Sequence, residues 1–238
     1  MRPFLTFSLL LLSLLPFSLG AQGIYLISAG ITDYPGTSND LTLPAKDARA
    51  IYRLYNKNSK AESVLLTDSN ATKSHIIQAT RRIFSKAKPD DIVVFFFSGH
   101  GFKGGFVAYD DYLFYDEIRK LFSSCRAKNK MIFADACFSG DIREGERVGY
   151  NDPNSNIMLF LSSRSNEVSQ ENPRMKNGFF TACLLRSLKG GADVDRNRII
   201  TAKELFKAVS KGVKDLSNDC QHPVMWGNFL DNMPVMVW

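Results

Sequence analysis

Two residues of this chain have the chemistry of a nucleophile and its base. Cys137 stands in "MIFADACFSG" (131–140) and His100 in "IVVFFFSGHG" (92–101). Each follows a run of apolar residues and sits among small ones. A thiol is a weak nucleophile until a base takes its proton or a positive neighbour lowers its pKa. An imidazole at the same place in space would supply that base. Acyl transfer also needs donors aimed at the developing oxyanion. The backbone N–H groups of Gly101 and Cys137 are candidates, and glycines on both sides of His100 let the backbone approach a substrate closely. Taken alone, Cys137 reads as a buried structural thiol and His100 as a turn histidine. Their occurrence at equivalent strand ends favours a dyad.

The elements needed to position such a pair can be read off the pattern. "GIYLISAG" and "SVLLT" are short apolar strands. "PAKDARAIYRLY" predicts a helix, with Pro44 near its start and Ala48, Ile51, Leu54 and Tyr55 at helical spacing. "TKSHIIQATRRIFSKA" predicts an amphipathic helix whose apolar face carries Ile76, Ile77, Thr80, Ile83 and Phe84. "DDIVVFFFSG" has six consecutive apolar residues, the mark of a strand buried on both faces. A small hairpin over Phe106–Phe114 and a helix over Asp116–Phe122 follow. "KMIFADA" and "NIMLFLSS" are two more strands, "GFFTACLLRSLKG" and "TAKELFKAVSKGV" two helices, and "PVMWG" a final short strand. Alternating strands and helices imply an α/β domain with a largely parallel sheet. In such a sheet ligands bind beyond the carboxyl ends of the strands, where His100 and Cys137 fall. Two long polar stretches, Asp141–Asn156 and Asn166–Asn177, read as functional or mobile loops.

The 238 residues, 45% apolar and 23% charged, suit one globular domain and argue against disorder. Residues 1–20 are of another kind. Arg2 precedes the apolar run Leu9–Leu12, Leu14, Leu15 and Phe17, and Ser18 and Gly20 are spaced like a cleavage site. This predicts a signal peptide over 1–20, a domain over 21–238 and an exported product, periplasmic or extracellular. The run is broken by Ser13 and Pro16 and is short for a bilayer, so cleavage is favoured over a membrane anchor, with no stable membrane insertion afterwards. Loss of the segment removes Arg2 and no acid, lowering the net charge from +6 to +5. The remaining basic residues are scattered without an aromatic-interleaved stripe, so no nucleic acid is expected as partner. Cys125, Cys137, Cys183 and Cys220 are too few for a dense disulfide framework. One pair or none is compatible with them, and Cys183 reads as a core helix residue.

"FFFSGHG" followed by "IFADACFSG" resembles the caspase-like cysteine peptidases (peptidase family C14), and among them the metacaspase-type bacterial members. The resemblance runs from "GIYLISAGITDYPG" to "QHPVMWG". The chain has "DACFSG" where animal caspases have a Gln-Ala-Cys pattern. The resemblance implies a caspase-like (caspase-hemoglobinase) three-layer α/β/α sandwich with a mostly parallel six-stranded sheet. It implies attack of Cys137 on a peptide carbonyl, with His100 assisting proton transfer to the leaving amine. It also implies that Asp47, in "PAKDARA", and Asp135, in "DAC", line the primary specificity pocket. Two carboxylates there would favour Arg or Lys before the cut through charge-assisted hydrogen bonds. Asp135 should point to the same side of its strand as Cys137. Asp47 reads equally as an acid in the first turn of a helix, favoured by the dipole. With a pocket for basic residues, Arg143 and Arg147 become candidate self-cleavage sites. The partner implied is a protein or peptide substrate.

No cofactor is required by this chemistry, but calcium is possible at two places. Asp110, Asp111, Asp116 and Glu117 lie between the dyad residues, although Tyr115 stands where a paired acid is expected from the resemblance. Asp193, Asp195, Asn197, Ile199, Thr201 and Glu204 in "DVDRNRIITAKE" fall on EF-hand spacing, with Arg198 where that loop wants glycine. The preferred reading of the second site is a capping box, Thr201 with Glu204, opening a helix. Two other functions fit the pattern less well. A catalytically inactive caspase-fold binding module has no need of an intact His-Cys pair. A serine hydrolase through Ser98 or Ser139 lacks a Gly-x-Ser-x-Gly elbow, and both serines read as turn residues. His75, read as a surface residue, and His222, in a loop, are given no role.

Overall fold

The computed structural model of the protein describes residues 22–136, 157–164 and 174–237. The signal-peptide segment, Cys137, Ser139, Arg143, Arg147 and most of the two long polar stretches lie outside the described residues. In chain order the elements are β1 (Ile24–Gly30), α1 (Pro44–Tyr55), β2 (Ala61–Thr67), α2 (Lys73–Phe84), β3 (Ile92–Gly99), β4 (Gly101–Phe102), β5 (Gly105–Val107), β6 (Tyr112–Phe114) and α3 (Tyr115–Ser123). Then come β7 (Asn129–Ala136), β8 (Ile157–Leu161), α4 (Phe179–Arg186), β9 (Ile199–Thr201), α5 (Ala202–Leu216), β10 (Val224–Gly227) and β11 (Pro234–Val237).

Six strands form the central sheet in the order β10-β8-β7-β3-β1-β2. All pairs are parallel except β10 with β8. Strand residues alternate between two cores, as a sheet buried on both faces requires. Ile24, Leu26, Val94, Phe96, Met131, Phe133, Met158 and Phe160 face α1, α4 and α5. Ile27, Ala29, Val93, Phe95, Phe97, Ile132, Leu159 and Leu161 face α2 and α3. The result is a three-layer α/β/α sandwich. All eight residues of β3 are buried, which is why its sequence shows an unbroken apolar run and no alternation.

The helices begin where their sequences say. Pro44 opens α1, where its missing N–H costs nothing. Thr72 caps α2 by accepting from the His75 N–H at 3.2 Å. Thr201 and Glu204 form the expected box at the start of α5, with the Thr201 hydroxyl accepting from the Glu204 N–H at 3.3 Å and Glu204 accepting from the Thr201 N–H at 3.0 Å.

Four expectations need correction. The hairpin over 106–114 is part of a three-stranded sheet that begins at Gly101, directly after His100. The helix predicted over 178–190 ends at Arg186 and closes in a π turn over Ser187–Gly191. The strand in "PVMWG" is not the last, because β11 follows and pairs with β9. Ser98 is not a turn residue: it lies inside β3 and is buried. Cys125, Cys183 and Cys220 are free thiols, and burial pushes the Cys183 thiol up to about 11, in keeping with a core role. His75 is exposed, as read, and His222 lies 3.2 Å from the Asp219 carboxylate.

Candidate functional site

The chain runs β1, then outward to β2, then back across β1 to β3. The crevice beyond the carboxyl ends of β1 and β3 is therefore a topological switch point, the usual ligand site of an open α/β sheet. His100 follows β3 at that edge, and the loop after β1 folds against it. On the next strand Ala136 pairs with Gly99, so the residue before His100 and the residue before Cys137 stand side by side.

His100 is held from three directions. Its Nε2 lies 2.8 Å from the carbonyl oxygen of Asn39. A carbonyl only accepts, so Nε2 carries the proton and Nδ1 is left as the basic nitrogen. Its backbone N–H donates to the Tyr34 hydroxyl at 2.9 Å, and the Tyr34 ring sits 4.9 Å from the imidazole, tilted by 45°. Tyr34 is 5% exposed, and burial pushes its phenol well above the ordinary range, so it remains a neutral donor and acceptor. Gly99 has no room for a side chain, since a Cβ there would lie 2.7 Å from the Tyr34 oxygen. Gly101 opens β4 opposite Phe106. The neighbouring pair, His100 with Val107, is joined by the Val107 N–H donating to the His100 carbonyl at 2.9 Å. By the alternation of an antiparallel ladder, Gly101 belongs to a pair without cross-strand bonds, and its N–H points away from β5.

The structure brings Asp47 and Asp135 together. Asp47 comes from the first turn of α1 and is 1% exposed; Asp135 comes from the end of β7 and is 8% exposed. Asp47 Oδ1 accepts from the Asn177 side-chain amide at 2.8 Å and from the Gly178 N–H at 3.1 Å, and Oδ2 accepts from the Ser98 hydroxyl at 3.1 Å. Asp135 Oδ2 accepts from the Thr181 N–H at 3.1 Å and hydroxyl at 2.7 Å. Both acids converge on Gly178, where a Cβ would lie 2.6 Å from Asp135 Oδ2 and 3.4 Å from Asp47 Oδ2. Burial, with the Asp135 charge next, holds the Asp47 carboxyl well above the usual carboxylate range, against the pull of its three donors. Ser98 pairs with Asp135 across β3 and β7, which places its hydroxyl beside both acids. The three donors bonded to Asp47 are all uncharged, and carboxylates of this kind can form charge-assisted hydrogen bonds to a cation.

Tyr34, Asn39, Asn177, Gly178 and Thr181 carry no signal for the site in the sequence, and Ser98, read there only as a turn residue or a serine-hydrolase nucleophile, instead donates to Asp47. A second brace also went unread. Ser162 Oγ lies 3.2 Å from both the N–H and the carbonyl of Ala136, accepting from one and donating to the other. The Gln221 side-chain amide donates to the Ser162 carbonyl at 2.9 Å. Together they fix the end of β7.

At the first calcium candidate, the Lys73 ammonium reaches Asp111 at 3.3 Å and Glu117 at 3.1 Å, and the Lys73 N–H donates to Asp110 at 2.8 Å. Asp116 is engaged by Arg119. A lysine thus occupies the place of a cation, and these acids do not form a ligand cluster. At the second, Asp193, Asp195 and Glu204 each offer a carboxylate oxygen within 4.8 Å of the others. Arg198 takes a left-handed φ of 68° where that loop type wants glycine. Glu204 serves the cap of α5 as read, and also accepts from the Val194 N–H at 3.3 Å.

Among the described residues no helix is long and apolar enough to cross a membrane. Comparison with curated proteins gives no match. Among solved structures, the crystal structure of protein GSU0716 from Geobacter sulfurreducens is similar in fold, with a TM-score of 0.70 at 19% identity, covering 90% of this chain and 99% of that one. The caspase domain model of peptidase family C14 matches residues 26–233, a span that runs from within β1 to the residue before β11 and contains both buried acids and His100. This chain therefore belongs to the caspase-domain family C14 of cysteine peptidases.

Proposed function

We propose that the protein is an exported cysteine endopeptidase that cuts after Arg or Lys, with Cys137 as nucleophile and His100 as the proton-transfer residue. The observation that carries the specificity is the burial of two carboxylates, Asp47 and Asp135, which converge on Gly178 at the edge of the site, where a cationic side chain would meet both. In this reading Nδ1 of His100 takes the thiol proton and the sulfur attacks the scissile carbonyl carbon. The carbonyl π pair moves to oxygen, where the Gly101 N–H donates to it. Collapse breaks the C–N bond as His100 returns the proton to the leaving amine. Water then attacks the thioester with His100 as base, releasing the acid and the thiol. The Asn39 carbonyl supports these steps by keeping the other ring proton on Nε2 and by stabilising the imidazolium that forms.

The test is hydrolysis of fluorogenic peptides ending in Arg, Lys, Asp or Asn, with and without calcium, beside a Cys137→Ala control. Cleavage after Arg or Lys that vanishes in the control is expected. Cleavage after Asp or Asn alone would refute the pocket. Activity surviving in the control would refute the nucleophile, and silence toward every peptide would favour a caspase-fold binding module. Export is tested separately, by expressing the full chain and locating the protein, with cleavage near Gly20 or Ala21 read by mass spectrometry. The same spectra would show whether the segment around Arg143 and Arg147 is cut.

A further inference from the structure

The hydroxyl of Tyr34 occupies an unusual place. In an antiparallel ladder, a hydrogen-bonded pair exchanges both of its N–H to C=O bonds. His100 and Val107 form such a pair by register, one step beyond Gly101 and Phe106. They exchange only one bond directly, from the Val107 N–H to the His100 carbonyl at 2.9 Å. The other is interrupted by Tyr34 Oη, which accepts from the His100 N–H at 2.9 Å and donates to the Val107 carbonyl at 3.0 Å. A side-chain oxygen from the loop after β1 thus splits the rung that carries His100. It bridges the remaining donor and acceptor of the pair.

The phenol is itself anchored. The Tyr34 N–H donates to the Asp40 carboxylate at 3.2 Å, and the Leu41 N–H closes the loop on the Thr32 carbonyl at 2.9 Å. Asn39, whose carbonyl accepts the hydrogen bond from His100 Nε2–H, lies inside that same closed loop. One segment, Thr32–Leu41, therefore fixes His100 at its backbone, at the face of its ring and at its ring nitrogen. The empty side of Gly99 is the complement of this arrangement, since a methyl there would strike the same oxygen.

We propose that Tyr34 is the positioning residue for His100: its hydroxyl, wedged into the His100–Val107 rung, sets the backbone from which the imidazole is aimed. The inference rests on the reading of His100 as the proton-transfer residue. Without the hydroxyl the rung closes directly or two buried polar groups lose their partner. Either way the imidazole moves by a fraction of an ångström to an ångström, and a displacement of that size lowers turnover by about 10- to 100-fold.

The test is Tyr34→Phe in the full mature chain, which keeps the ring against the imidazole and removes only the oxygen. Turnover of an Arg peptide should fall about 10- to 100-fold, with KM within about threefold of wild type because the carboxylate pocket is untouched. In protein carrying ¹⁵N-labelled histidine, the His100 ring resonances, assigned with His100→Asn against His75 and His222, should move away from the pattern of the Nε2–H tautomer. Wild-type turnover in Tyr34→Phe, or reduced turnover with unmoved His100 resonances, would overturn the proposal. If Tyr34→Phe does not fold, Gly99→Ala applies pressure to the same oxygen and must produce the same pair of changes, or the proposal fails. If the wild-type protein cleaves no peptide, the peptidase reading fails by itself, while the resonances of the two proteins still decide whether Tyr34 positions His100.

Discussion

Replacing Asp47 by Asn should separate activity from stability in opposite directions. Asp47 is 1% exposed, and its three bonded donors are the Asn177 amide, the Gly178 N–H and the Ser98 hydroxyl. An asparagine can keep all three contacts, its oxygen accepting from Asn177 and Gly178 and its NH₂ donating to Ser98 Oγ. What it loses is the charge. The folded-state pKa of Asp47 is raised, so folding favours its protonated form. Any stability associated with that group is present below the ordinary carboxylate range and is lost as pH rises toward the raised value. Above the ordinary carboxylate range, burying Asp47 is thus a cost to the fold, relieved in Asp47→Asn along with the repulsion from Asp135. The variant should unfold at an equal or higher urea midpoint than wild type at pH 8, with the gap closing as the pH drops toward 4. Its activity should collapse, because deleting one partner of a buried charge pair costs about 2–5 kcal/mol. That corresponds to about 30- to several-thousand-fold in kcat/KM for Arg peptides. Paired peptides with Arg or its neutral isostere citrulline isolate the pocket, since titration of the catalytic groups cancels in their ratio. In wild type the ratio should fall as the pH drops through the raised Asp47 pKa; in Asp47→Asn it should be small and flat. A variant less stable than wild type at pH 8 by more than about 1 kcal/mol, or an unchanged Arg-to-citrulline ratio, would refute the reasoning.

Three further substitutions probe other parts of the account. Gly178→Ala places a methyl 2.6 Å from the Asp135 carboxylate, and should raise KM for Arg and Lys peptides while costing about 1–3 kcal/mol of stability in denaturant melts. Thr201→Ala removes the box at the start of α5; it should cost about 1 kcal/mol, lower Tm by about 2–4 °C and leave kcat/KM unchanged. Phe160→Ala empties a site fully buried among the rings of Phe133, Phe180 and Phe206, and chemical denaturation should show a loss of about 3–5 kcal/mol.

The strands of the central sheet were legible because they are apolar on both faces, and a run such as Ile92–Phe97, short and rich in β-branched and aromatic residues, has the pattern of a strand buried on both sides. β9 and β11 were not. Each has three or four residues, and their pairing is specified by packing on α5 rather than by any local signal. His100 and Asp135 could be read because their chemistry resides in their own side chains at strand ends. Asn39 could not, since it acts through a backbone carbonyl that any residue would provide. Tyr34 was hidden for a related reason: its partners are backbone groups of His100 and Val107, two segments brought to it only by the fold.

The start of α4 shows how a local blank can carry information. Gly178 stands at the N-cap with no side chain to satisfy the first turn, and Asn177 turns its amide to Asp47 instead. The donors that a Ser or Asp cap would serve are taken by acids from distant elements: Thr181 gives its N–H and hydroxyl to Asp135, and Gly178 gives its N–H to Asp47. The helix terminus therefore stabilises the two carboxylates that form the candidate pocket, and the carboxylates cap the helix. Capping alone could be met by one uncharged oxygen. It gives no reason to bury two acids against each other and to hold one of them far above its ordinary pKa. A second buried carboxylate beside the first is more than capping requires, and in the proposed reading it is what a cationic substrate would meet.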